Sequence, residues 1–85
     1  MSEVKLLSEP RNYAVVHLPG RQFPGVVFQG DSLQFLIRDL ERAAAEQDPI
    51  ERAEEIDAVL ERLKEVRAHY EAVMAREGVK LPYLR

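Results

Sequence analysis

The chain has 85 residues, with 12 basic against 15 acidic side chains for a net charge of −3, and it contains no cysteine. A domain this short buries only about 60–65% of the surface its unfolded form exposes, so its stability margin is thin. Disulfides are excluded, and two histidines 52 positions apart (His17 and His69) are too few ligands for a structural zinc site, which leaves oligomerisation or close helix packing as the support small domains need.

Three strands are predicted first. Val4-Lys5-Leu6-Leu7 is a short apolar run closed by Ser8-Glu9-Pro10. Asn12 to Leu18 is rich in β-branched and aromatic residues and stops at Pro19-Gly20, as strands do. Gly25 to Gln29 is the third, closed by Gly30-Asp31. Two Pro-Gly pairs, at 19–20 and 24–25, each signal a turn, because proline presets φ and glycine accepts a positive φ. An antiparallel hairpin with a wide loop is expected between the second and third strands.

Asp31 then reads as the N-cap of a helix over residues 31–47, with Gln34 completing a capping-box-like pair. Leu33, Leu36, Ile37, Leu40 and Ala44 fall on one helical face, the face expected to be buried. Phe35 falls off it. A second helix starts at Asp48-Pro49-Ile50-Glu51, with Asp48 as N-cap and Pro49 in the first turn, and runs without glycine or proline to Gly78. Along it, Ile56, Val59, Leu63, Val66, Tyr70 and Val73 are spaced as a heptad seam. Ala53, Leu60 and Met74 widen that stripe. At 1.5 Å per residue this helix spans roughly 43 Å, against a radius of gyration of about 12 Å for a compact chain of this size. Its stripe is longer than its own chain readily covers, so a homodimer through those six seam residues is expected. Residues 78–85 form an apolar tail, expected to dock, to add an edge strand or to cross a dimer as an arm.

The expected fold is thus α+β, in a single domain. A three-stranded antiparallel meander (residues 1–30), four-stranded if the tail joins it, precedes two helices packed on one face, the second long.

No motif carries a catalytic mechanism. Gly20 to Gly25 has the glycine spacing of a phosphate loop, but Val26-Val27 stand where lysine and a hydroxyl residue are required. Ser8, Ser32, His17 and His69 lie in no nucleophile arrangement, and the carboxylate pairs of the second helix are those of any solvated acidic helix. Catalytic, cofactor-binding and metal-binding residues are therefore not assigned, and the chain is not expected to be an enzyme. Charge is uneven: residues 31–77 carry thirteen acids and seven bases, a net −6. Nucleic-acid binding, which needs clustered Lys and Arg, is not expected, whereas a basic protein partner is compatible. No apolar run approaches the roughly 18–20 residues of a membrane span, and Met1 to Lys5 lack the pattern of a secretory signal. A cytoplasmic protein is expected. Large side chains without a reserved core position are candidate binding anchors: Phe23 in the loop with Arg21 beside it, Phe35 off the stripe, and Tyr83 in the tail.

Tyr13-Ala14-Val15-Val16-His17-Leu18-Pro19, followed by Phe23-Pro24-Gly25-Val26-Val27-Phe28-Gln29-Gly30-Asp31-Ser32-Leu33, resembles the core of the HicB antitoxin family over about residues 12–45. The same Pro-Gly and Gln-Gly-Asp pattern is similar to that of a family of short, uncharacterised bacterial proteins. The HicB resemblance implies a β-β-β-α-β domain that oligomerises and blocks a small basic ribonuclease toxin. After residue 46 the two part, and a long acidic helix follows where the family has a fourth strand. The function expected is a non-enzymatic, homodimeric protein-binding module, antitoxin-like or immunity-like towards a small basic protein. The alternative is a regulatory sensor with a small-molecule pocket between sheet and helices.

Overall fold

A computed structural model describes residues 3–8 and 13–84. Asn12 and Arg85, which the sequence assigns to the second strand and the tail, lie outside them, as does the predicted turn at Glu9-Pro10. In chain order the elements are β1 (Lys5–Leu6), β2 (Tyr13–His17), β3 (Gly25–Phe28), α1 (Gly30–Ala45) and α2 (Pro49–Glu77). The expected fold class is the observed one: a three-stranded antiparallel sheet followed by two helices, the second long.

β2 is the central strand, pairing Leu6 with Val16 on one side and Val15 with Val26 on the other. The first Pro-Gly pair makes a tight turn: Gly20 has a φ of 76°, and the Arg21 N–H donates to the Leu18 carbonyl at 3.3 Å, the pattern of a turn that needs glycine at its third position. The second pair does not turn. Pro24 is buried and Gly25 is already in β3, paired with Val16.

Side chains alternate across the sheet, so Tyr13, Val15 and His17 share one face. The C-terminal half of α2 lies on that face, and Val15, Tyr70, Val73 and Met74 form the core, with Leu7, Val26, Val79 and Leu81 packed around them. The Tyr70 hydroxyl donates to the Pro24 carbonyl at 2.7 Å, satisfying a buried acceptor, and Arg76 donates to the Leu7 carbonyl. α1 packs on the N-terminal half of α2, burying Ala43 and Val59 and pairing Asp39 with Arg62.

Both ends of α2 match the sequence. The Asp48 side chain accepts from the N–H groups of Ile50 and Glu51. Gly78 sits at φ 68°, its N–H donates to the Ala75 carbonyl, and the Val79 N–H donates to that of Met74. This paired closure with an apolar residue tucked under it is the Schellman arrangement. α1 starts differently. Gln29 precedes the first helical residue, Gly30, no side chain caps it, and the Asp31 carboxylate instead accepts from the Ser32 N–H. The expected Asp31–Gln34 capping pair is therefore corrected.

The tail docks without adding a strand. Val79 and Leu81 reach the core, Tyr83 stacks on Tyr70 with ring centroids 6.5 Å apart, and Leu84 is fully exposed. The long helix makes the molecule elongated, 51 × 27 × 20 Å with a radius of gyration of 15.6 Å, well above the value of about 12 Å for a compact chain of this length.

Candidate functional site

The four predicted anchors do not converge. Arg21 and Phe23 line a shallow recess at the hairpin loop with Leu18, Gln22 and Gly25. Phe35 is 52% exposed, with the Arg38 guanidinium 5.7 Å from its ring centroid. Tyr83 is held by its stacking on Tyr70 and by donating to Glu71 Oε2 at 2.9 Å. They border three separate depressions.

The predicted dimer seam is also divided. Val59, Tyr70 and Val73 are buried within the chain and Val66 is half-buried, while Ile56 and Leu63 are exposed. The seam is corrected accordingly: its C-terminal half covers the chain's own sheet and Val59 meets α1, so these residues are not available to a partner. The stripe of α1 departs furthest from expectation. Leu33, Ile37, Leu40 and Ala44, predicted to be buried, are exposed, and only Leu36 of that set is half-buried. The line of α1 turned to α2 runs instead through Ser32, Leu36, Asp39 and Ala43, about 100° round the helix from the apolar stripe. Small Ala43 and the Asp39–Arg62 pair fix that rotation.

One surface results. Clefts along the helix pair are lined by Phe35 and Arg42 from α1 and by Ala58 and Glu65 from α2, which therefore share one flank of the hairpin. Residues displaced the other way round each helix share the opposite flank. These are Leu33, Ile37, Leu40 and Ala44 from α1 and Ile56, Leu60 and Leu63 from α2. All seven are exposed, the six large ones by 39 to 47%. No charged residue falls between the members of either row; Arg52 and Arg67 stand in line with the α2 row beyond its two ends, and Glu54, Asp57, Glu61 and Glu65 form an exposed acidic stripe elsewhere on α2. Leu63 continues the flank into a groove lined by Pro24, Val26, Tyr70, Pro82 and Tyr83, with Arg67 at its edge.

A family model for DUF6959, a family of unknown function, matches residues 1–83. The chain belongs to DUF6959. No curated protein and no solved structure matches it.

In this DUF6959 chain the polar groups that sequence reading weighed for chemistry have structural contacts. The Ser8 hydroxyl accepts from the Val15 N–H at 2.9 Å, His17 Nε2 donates to the Arg21 carbonyl at 2.7 Å, and His69 packs edge-on against Tyr13. Among the described residues no group of three or more His, Asp or Glu side chains is placed to hold a metal ion, and no helix is long and apolar enough to cross a membrane. The Arg62 guanidinium, hydrogen-bonded to Asp39, holds that carboxyl below its ordinary value.

Burial pushes the Tyr70 hydroxyl above its ordinary pKa, and burial together with the Glu71 carboxylate does the same for Tyr83. Both groups favour the folded state when neutral. Their contribution is complete below their ordinary value of 10.0 and is lost as pH rises through the higher folded values. Absorbance at 295 nm should therefore show tyrosines ionising above pH 10, together with loss of helical circular dichroism. In Tyr70→Phe, which cannot ionise at that position, the helical loss should shift to higher pH.

Proposed function

We propose that this protein is a non-enzymatic binding module that engages polypeptide chains through the uncharged flank of its helical hairpin. The observation that carries this reading is the continuous exposure of Leu33, Ile37, Leu40, Ala44, Ile56, Leu60 and Leu63. Single exposed leucines are ordinary on any protein, but a contiguous patch bordered by charge is a contact surface. The acidic stripe on the other flank suits a basic partner. The HicB-like sequence of residues 12–45, which holds β2, β3 and α1, supports an antitoxin-like or immunity-like inhibitor of a small basic protein.

A photo-reactive phenylalanine analogue tests the flank in the native cell. Placed at position 40 it should capture a polypeptide on irradiation, whereas at position 77, beyond the flank, it should not. Equal capture from both positions, or none from position 40 in folded protein, would overturn the reading.

A second reading, a small-molecule sensor, is supported by a cleft of 260 Å³ lined by Tyr13, Phe28, Ser32, Phe35, Leu36, Arg62, Glu65 and Val66. Its volume falls just below the roughly 300 Å³ at which ligand pockets begin. A compound that raises the melting temperature of the wild type but not of Phe35→Ala would favour it.

A further inference from the structure

We infer that the occupant of the uncharged flank is a second copy of this chain, so that two helical hairpins close face to face into a four-helix bundle. This rests on the flank being a polypeptide-binding surface, and names what binds there. Four observations select a second copy.

The first is area. The six large side chains leave on the order of 500 Å² of apolar surface open, near the top of the range for contiguous patches on monomeric proteins. With Ala44 and the rim methylenes the flank approaches the roughly 800 Å² per partner of a standard interface.

The second is shape. The flank is two antiparallel rows of leucine and isoleucine, which is one layer of a four-helix bundle, and adding the same layer about a two-fold axis completes it. An isologous contact needs a self-complementary surface, and the seven residues of this one carry no charge to repel their own copies.

The third is charge at the rim. With the two α2 helices stacked antiparallel about Leu60, Asp57 of one copy is brought level with Lys64 of the other, and the reverse holds at the symmetry-related position. The rest of the acidic stripe, Glu54, Glu61 and Glu65, stays on the outside. A dimer therefore hides the apolar rows and pairs these opposite charges at its rim, with Arg52 of one copy level with Arg67 of the other beyond the ends of the α2 rows.

The fourth is what the chain lacks. Among the described residues the buried apolar set is small: Val15, Val16, Ala43, Val59, Tyr70, Val73 and Met74. There is no cysteine to staple it, and domains of this size need further support, which oligomerisation supplies. The N-terminal half of α2 has α1 as its principal neighbour within the chain, so the hairpin that projects from the sheet gains most from a partner.

The experiment uses the absence of cysteine. Leu40→Cys and Leu60→Cys each introduce a unique thiol, whose reaction rate with a maleimide probe is read against protein concentration, with mass followed by light scattering. In the dimer, labelling should slow at least tenfold between nanomolar and high micromolar protein, in step with the mass rising from one chain to two. Rapid labelling at every concentration in a monomer would overturn the inference while leaving the flank open to another polypeptide. Slow labelling at every concentration in a monomer would mean that the chain covers the flank itself, and would overturn both. A control at the opposite flank, Glu61→Cys, should label rapidly throughout; slowing there in step with dimerisation would place the contact on the wrong face and overturn the inference.

Discussion

Met74→Ala should lower the unfolding free energy by about 2–5 kcal/mol, as large-to-small changes at fully buried sites do. For a chain this size the total is roughly 4–13 kcal/mol, so one substitution removes a large fraction of it. Met74 is fully buried in the cluster where sheet, long helix and tail meet: Val15 from β2, Tyr70 and Val73 from α2, with Val79 and Leu81 of the tail packed against it. Its carbonyl also receives the Val79 N–H that closes the helix. Alanine is the better helix former of the two, so the loss reports packing and not helix propensity. Urea unfolding followed by circular dichroism should show the midpoint falling sharply. Leu84→Ala, at a fully exposed position, should leave it in place. Equal midpoints for Met74→Ala and the wild type would mean that the core is not where the structure puts it.

Leu60→Glu should have the opposite profile, with little effect on the single chain and a large one on assembly. Position 60 is 42% exposed on α2, and glutamate is close to leucine in helix propensity, so the monomer tolerates it. In a dimer centred on Leu60 the same change places two carboxylates in an apolar layer without partners, which costs several kcal/mol and weakens association by about a thousandfold or more. The wild-type melting temperature should rise with protein concentration, because dimerisation stabilises the folded state by mass action. In Leu60→Glu it should be independent of concentration. Helical content at low concentration should be equal in the two proteins.

Much of the fold was legible because local chemistry determines it. Asp48-Pro49 and Gly78 bound α2 through groups that satisfy helix-end hydrogen bonds, and these act whatever surrounds them. Pro19-Gly20 made its turn for the same reason. Pro24-Gly25 carries the same residues and made none, because Pro24 is buried, its carbonyl accepts from Tyr70, and Gly25 pairs with Val16. Those are contacts with distant residues. The stripe on α1 shows the same limit. Periodicity correctly grouped Leu33, Ile37, Leu40 and Ala44 on one face, but it cannot say which face meets the chain's own core. That was decided by Asp39 with Arg62 and by the buried Ala43, from α1's adjacent face. The heptad seam of α2 failed for a related reason. A seam selects an apolar neighbour without specifying whether it is a partner chain or the chain's own sheet, and Tyr70 and Val73 found the sheet. The expectation that some apolar surface exceeds what one chain can cover is carried instead by Leu60 and its neighbours on both helices.

The central claim is that the uncharged flank is a contact surface between copies. Mass in solution tests it most directly, by light scattering over a concentration series of the wild type and Leu60→Glu. The wild type should approach twice the 9.8 kDa of one chain as concentration rises, with Leu60→Glu remaining at the single-chain mass. A wild type at the single-chain mass throughout, or a Leu60→Glu that dimerises as readily, would contradict it.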